Sequence, residues 1–113
     1  MLIFATIIFA LAAILGIYLF NYMLQGKNPP KGVVMIHGSF AAVGIVLLIL
    51  YLISSRSSPI VSLVLFVLAA IGGFYIVWRD IMQKPVPKFM VAGHGLIALI
   101  AFIFLLVFQF TAS

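Results

Sequence analysis

Residues 31–41, KGVVMIHGSFA, and residues 88–98, KFMVAGHGLIA, decide the fold of this chain. Each stretch begins with lysine, carries His-Gly in its middle and ends in alanine. The two stretches are 57 residues apart, and about a third of all positions match when residues 8–53 are aligned with residues 65–110 without a gap. The chain is therefore predicted to contain one unit twice.

The matches between the two halves are not confined to aliphatic residues. The pattern AAI-x-G-x-Y at 12–18 returns at 69–75, and the pattern K-x-x-P-K at 27–31 returns at 84–88. Chance similarity between two membrane segments would favour the common aliphatic residues over tyrosine, lysine, proline and histidine. We interpret the repeated unit as a helical hairpin.

The composition indicates a protein that uses lipid as its solvent. Of the 113 residues, 67% are hydrophobic and 6% are charged, whereas soluble domains are about 25% charged. The absence of cysteine excludes disulfides, thiolate metal sites and iron–sulfur clusters. The net charge of +5 does not indicate nucleic-acid binding, because the basic residues lie between long apolar runs rather than along an exposed face.

Four uncharged runs reach the roughly 20 residues that a helix needs to cross a bilayer. The runs are residues 1–26, 32–55, 57–78 and 89–113. They predict transmembrane helices near residues 2–24, 33–54, 58–79 and 89–110. The first run lacks a basic amino-terminal segment and a clear cleavage site, so we expect it to remain in the mature protein.

The predicted fold class is an all-α integral membrane protein with four transmembrane helices. We expect a single domain over residues 1–113, with repeat 1 at about 1–56 and repeat 2 at about 57–113. Each repeat contains two spans, so both copies enter the bilayer in the same direction. Such copies are expected to be related by a pseudo-twofold axis along the membrane normal.

The distribution of basic residues predicts the orientation of the chain. Basic short loops remain on the cytoplasmic side, and the first and third connections hold most of the positive charge: Lys27, Lys31, Arg79, Lys84 and Lys88. The opposite face has Arg56 and the amino terminus. We expect both termini outside, loops 25–32 and 80–88 in the cytoplasm, and a bacterial inner membrane as the location. Asp80 is expected to pair with Lys84 at helical spacing.

The candidate site contains the only two histidines, His37 and His94. They occupy equivalent positions, and each lies six residues after its lysine, or about 9 Å along a helix. If both point inward, they face each other across the axis in the cytoplasmic half of the membrane. An ionisable side chain within a span indicates a functional site, and facing helices of a bundle often hold a cofactor.

We therefore expect one haem b per chain, with His37 and His94 as its axial ligands. The residues expected to assist them come in equivalent pairs with different tasks. Small residues would leave room for the macrocycle or relieve crowding, lysines would neutralise the propionates, and tyrosines would donate a hydrogen bond to a propionate or an imidazole nitrogen. These pairs are Ala41 and Ala98, Gly38 and Gly95, Lys31 and Lys88, and Tyr18 and Tyr75.

Each of these features also has a structural interpretation. The histidines would then be hydrogen-bonded to each other or to a neighbouring carbonyl. Small residues at a spacing of four commonly let membrane helices pack closely, and tyrosines and basic loop residues are typical of interfacial belts and of topology signals. A metal ion outside haem is disfavoured, because zinc needs three or four protein ligands and the repeat supplies no carboxylate or thiolate.

Residue types that are absent from the sequence exclude further classes of function. A cation-coupled exporter is expected to hold an acid within a span, yet the only acid, Asp80, lies at an interface. The sequence offers no Ser-His-Asp set, paired carboxylates or glycine-rich phosphate loop, so hydrolysis and nucleotide chemistry have no residues to use. Redox chemistry remains, because a cofactor would supply it.

Four spans with His-Gly on alternate helices, near one membrane face, resemble the membrane b-type cytochromes, broadly the cytochrome b561-like group. The resemblance implies a four-helix bundle that binds haem, with Gly16 and Gly73 as counterparts of glycines that let haem lie against a helix. Members of that group usually carry more histidines and often hold two haems, whereas this chain can ligate one. One haem near one face does not span the bilayer, so electron transfer across it would require a second centre in a partner.

The leading functional hypothesis is a membrane b-type cytochrome that exchanges single electrons with a quinone or a redox partner protein. An electron-transfer protein is favoured over a stand-alone enzyme, and an enzyme of this kind would be a quinone-linked oxidoreductase. A second hypothesis is a structural or assembly subunit of a larger membrane complex. A small transporter or channel, suggested by the repeat alone, is the third.

Overall fold

The computed structural model describes residues 1–55 and 58–111. It contains four helices: α1 (Leu2–Leu24), α2 (Lys31–Ser54), α3 (Ile60–Ile81) and α4 (Lys88–Thr111). All four are long and apolar enough to cross a membrane, and the described residues form no strand. The chain is an all-α four-helix bundle, as the uncharged runs predict. Arg56, which the charge count places opposite the basic loops, lies outside the described residues.

The first and third connections end their preceding helices in the same way. The Lys27 N–H donates to the Tyr22 carbonyl at 2.9 Å, and the Lys84 N–H donates to the Arg79 carbonyl at 2.9 Å. This six-to-one bond is typical of a helix end closed by a residue in the left-handed conformation. That residue is Gly26 in repeat 1, with a φ of 69°.

The equivalent residue in repeat 2 is Gln83, with a φ of 57°. A left-handed conformation is unfavourable for a residue with a side chain, yet the turn is retained. Prolines then separate the helices: Pro30 immediately precedes α2 and Pro87 immediately precedes α4. Proline lacks the N–H that a continuing helix would need, so it permits a helix to begin but not to run through it.

The two hairpins pack as equivalent units. Helix α1 packs most closely on α2, and α3 packs most closely on α4. The hairpins meet along two seams, one between α1 and α4 and the other between α2 and α3. The diagonal pairs, α1 with α3 and α2 with α4, face each other across the bundle, which is the arrangement expected of two tandem hairpins around a pseudo-twofold axis.

The centre of the bundle is built from equivalent residues of the two repeats. The rings of Phe9 and Phe66 stack across the axis with centroids 3.7 Å apart and planes 5° apart. Leu48 and Leu105 are completely buried beside them. A Cβ added at Gly44 would lie 2.6 Å from the Phe9 ring, so close helix approach at this level depends on a glycine.

This core occupies only one half of the bundle. The buried helical residues lie between the histidine level and the end that holds the termini; they are Ala5, Phe9, Ala12, Gly44, Leu48, Ser62, Leu63, Phe66, Ala69, Ala101 and Leu105. Between the histidine level and the two basic loops, no described residue is buried. This loop half is therefore more exposed than the half that holds the termini, and the stacked phenylalanines close the interior on the other side of the histidines.

Candidate functional site

His37 and His94 approach each other from the diagonal helices α2 and α4. Their ring centroids are 6.2 Å apart and the ring planes are at 82°. Both side chains are half-buried. The repeat thus brings its two histidines together at one level of the bundle, at the boundary between the packed core and the loop half.

Each imidazole is held by a backbone carbonyl of the adjacent helix in its own hairpin. His37 Nδ1 lies 2.8 Å from the Ala12 carbonyl oxygen, and His94 Nδ1 lies 2.7 Å from that of Ala69. A carbonyl oxygen only accepts, so Nδ1 carries the proton and donates it. In a neutral imidazole the other nitrogen, Nε2, then has a free lone pair.

Glycines make this contact with the carbonyl possible. Gly16 lies four residues after Ala12, and Gly73 lies four residues after Ala69, one helical turn further on. A Cβ added at either glycine would lie 3.1 Å from Cε1 of the nearby histidine, His37 for Gly16 and His94 for Gly73. A side chain there would crowd the ring as it reaches the carbonyl.

The arrangement suits a metal whose remaining ligands do not come from the protein. Within residues 1–55 and 58–111, no group of three or more His, Cys, Asp or Glu side chains could hold a metal ion. Two imidazoles that share a metal at about 2 Å per bond have ring centroids about 6 Å apart, close to the 6.2 Å between His37 and His94. A haem iron takes four nitrogens from its macrocycle and accepts two axial imidazoles, so the donor set fits this group.

The Nδ1 contacts agree with ligation of a metal through Nε2 and equally with a structural role of the histidines. Metal-bound histidines almost always donate their other N–H to a carbonyl or carboxylate, which fixes the tautomer and the orientation of the ring. In the described part of the chain, the hydrogen bonds of His37 and His94 go to carbonyls and not to each other. A purely structural pair would also use the carbonyl.

The small residues predicted beside the histidines differ in how far they are buried. Gly38 and Gly95 are exposed, and a Cβ added at either would meet nothing within 4 Å. They therefore face away from the histidine pair and do not relieve crowding there. Ala41 and Ala98 are half-buried one turn after the histidines, on the side of the packed core.

The two tyrosines lie on the outer surface of the bundle. Tyr18 is 47% exposed and its hydroxyl is 3.0 Å from that of Tyr22. Tyr75 is 43% exposed and its hydroxyl accepts a hydrogen bond from Arg79 at 3.3 Å. Neither tyrosine supplies the Nδ1 partner of a histidine, because the carbonyls do. Their exposure is typical of an interfacial aromatic belt.

The lysines at the starts of α2 and α4 have different surroundings. Both lysines are exposed. The Lys31 ammonium forms an ion pair with Asp80 at the end of α3, and no ion pair is found for Lys88 among the described residues. The expected pair between Asp80 and Lys84 is wrong. Lys84 instead lies over the Trp78 ring, with Nζ 4.7 Å from the ring centroid. The spacing rule compared residues within one helix, and the partner of Asp80 comes from another.

No protein-family model, curated protein or solved structure matches this chain. The site must therefore be understood from its own residues. The structural interpretation of the histidines expected a bond to a neighbouring carbonyl, and the structure shows one for each ring. Sequence reasoning did not identify these carbonyls as those of Ala12 and Ala69. The signal was present in the repeat, because both halves retain an alanine four residues before a glycine, at Ala12 and Gly16 and again at Ala69 and Gly73.

Substitution of one glycine should disturb one histidine and spare the other. In neutral form both imidazoles are expected to be protonated at Nδ1, which nitrogen-15 NMR of the histidine rings distinguishes from protonation at Nε2. Gly16→Ala is expected to change the His37 signals and leave those of His94 unchanged, because the added Cβ would lie 3.1 Å from Cε1 of His37 alone. Gly73→Ala is the matched control and should do the reverse. An Nε2-protonated pair in the native protein would contradict the geometry.

Proposed function

We propose that this chain is a membrane b-type cytochrome that binds one haem through His37 and His94 and transfers single electrons. The observation that carries the proposal is the pair of imidazoles 6.2 Å apart on diagonal helices, each with Nδ1 bonded to a carbonyl. The resulting free Nε2 atoms are the ligands that haem iron accepts.

The protein's contribution is to hold the two rings and to exclude competing ligands. The Ala12 and Ala69 carbonyls fix the orientation of the imidazoles, and the Phe9–Phe66 stack closes the interior towards the termini. The bound haem would supply the one-electron chemistry. His37 and His94 would hold its iron, and two protein ligands would favour electron transfer over oxygen binding.

We propose that the haem lies in the loop half of the bundle. No described residue is buried there, in contrast to the half that contains Leu48 and Leu105. Because the histidines lie about 9 Å from the start of their helices, the haem would lie nearer the basic loops. We propose that its electron donor or acceptor is a quinone in the bilayer or a redox protein bound on that side.

The proposed orientation places the basic loops in the cytoplasm and both termini outside, in a bacterial inner membrane. Since the chain has no cysteine, one introduced cysteine reports the side on which it lies. Gln83→Cys should react with a membrane-impermeant maleimide in inverted vesicles only, and Ser58→Cys in right-side-out vesicles only. The reverse labelling pattern would overturn the orientation.

Removal of either imidazole should abolish stable haem binding. His37→Ala and His94→Ala are each expected to lower the haem content of the purified protein at least about tenfold, because one axial ligand is lost. The measurement is a pyridine haemochrome assay on detergent-purified protein. Ser39→Ala is the matched control, because Ser39 lies on the same helix as His37 but is exposed and bonded to the Met35 carbonyl.

The control variant should retain the native haem content. Correctly inserted His37→Ala and His94→Ala variants that also retain it would contradict the assignment. If the native protein is colourless and co-purifies in fixed proportion with large membrane partners, the function would be that of a subunit of a larger complex.

A further inference from the structure

The two repeats differ at the loop end of the bundle, in the surroundings of equivalent lysines. Lys31 opens α2 and is paired with Asp80, which lies near the end of α3. The residue equivalent to Lys31 is Lys88, and the residue equivalent to Asp80 is Met23. The α1–α4 seam therefore has a thioether at the position where the α2–α3 seam has a carboxylate.

Lys88 has no carboxylate side chain available to it anywhere in the chain. Asp80 is the only acid in the sequence, and its Oδ2 is engaged by Lys31. Lys88 is exposed at the first position of α4, on the same helix as His94 and six residues before it. A lysine at the membrane interface without an internal counterion attracts an external anion.

The ion pair gives Lys31 a structural task. It joins α2 to α3, and therefore one hairpin to the other, at the more exposed end of the bundle. The α1–α4 seam has its own polar link at the opposite end, where the Thr6 hydroxyl donates to the Gln109 side chain. In the loop half, among the described residues, a salt bridge connects the hairpins on the α2–α3 side only.

We infer that the two lysines have divided their roles: Lys31 holds the hairpins together, and Lys88 binds an anionic group of the ligand that occupies the histidine site. The inference rests on the proposed function, and the anionic group is then a carboxylate of the haem. A phospholipid phosphate offers the same anionic oxygen chemistry, and the experiment separates the two sources. Lys88 thereby sets both the orientation of the ligand and a preference for free carboxylates.

The test compares two porphyrins that differ in charge and retain the same iron. Apoprotein in nanodiscs of zwitterionic lipid is titrated with iron protoporphyrin IX and with its dimethyl ester, and binding is followed by absorbance. The native protein is expected to bind the free acid about tenfold more tightly than the ester, as one charge-assisted contact would give. The Lys88→Gln variant should bind the two porphyrins about equally, and the Lys31→Gln variant should keep the preference for the free acid.

A second experiment exchanges the residues at positions 23 and 80, so that the net charge of the protein is unchanged. Met23→Asp combined with Asp80→Met moves the acid to the seam of Lys88 and frees Lys31. The doubly substituted protein should still prefer the free acid, but the preference should now be removed by Lys31→Gln and resist Lys88→Gln. A merely destabilising effect of either lysine substitution would not reverse in this way.

The outcomes distinguish this inference from the proposed function. If native protein binds neither porphyrin, the cytochrome proposal fails and the inference fails with it. If native protein binds both porphyrins equally, or Lys88→Gln keeps the preference, haem binding stands and the role of Lys88 is overturned. If Lys88→Gln changes the binding of neither porphyrin but lowers the amount of anionic phospholipid that co-purifies with the protein, Lys88 binds the lipid phosphate and the inference is also overturned.

Discussion

The hydrogen bond from an imidazole Nδ1 to a carbonyl of the neighbouring helix is the interaction on which this structure depends. A polar ring inside a bilayer must find an internal partner, because lipid offers none. His37 and His94 find theirs in carbonyls of α1 and α3. The bond joins the two helices of each hairpin, fixes the ring, and leaves Nε2 free.

The repeat of the hairpin gives this hydrogen bond twice, once in each half of the chain. The pseudo-twofold axis places the two imidazoles opposite each other, and the Phe9–Phe66 stack lies on the same axis. The two copies differ at their loop ends. Gln83 adopts the left-handed turn that Gly26 makes in the other copy, and Asp80 replaces the methionine of repeat 1. The histidines, the alanines whose carbonyls they contact and the adjacent glycines are the same in both copies, which is expected if they carry the shared task.

Much of the fold could be predicted from the sequence, because charge-free length and a repeat offset are properties of the chain itself. The predicted span at 33–54 begins two residues late, since α2 starts at Lys31 immediately after Pro30. The histidine pair followed from the offset. The Ala12 carbonyl, the partner of Asp80 and the outward direction of Gly38 did not follow, because they depend on helix rotation and on contacts between helices. The binding of haem stays a prediction.

Haem binding is tested most directly by the visible spectrum of the purified native protein, oxidised and then reduced with dithionite. We expect a sharp low-spin b-type spectrum with about one haem per chain by pyridine haemochrome, because His37 and His94 would supply both protein ligands. A preparation that stays colourless after haem is supplied during expression would contradict it. The imidazole pair would then be a structural element that joins the helices of each hairpin.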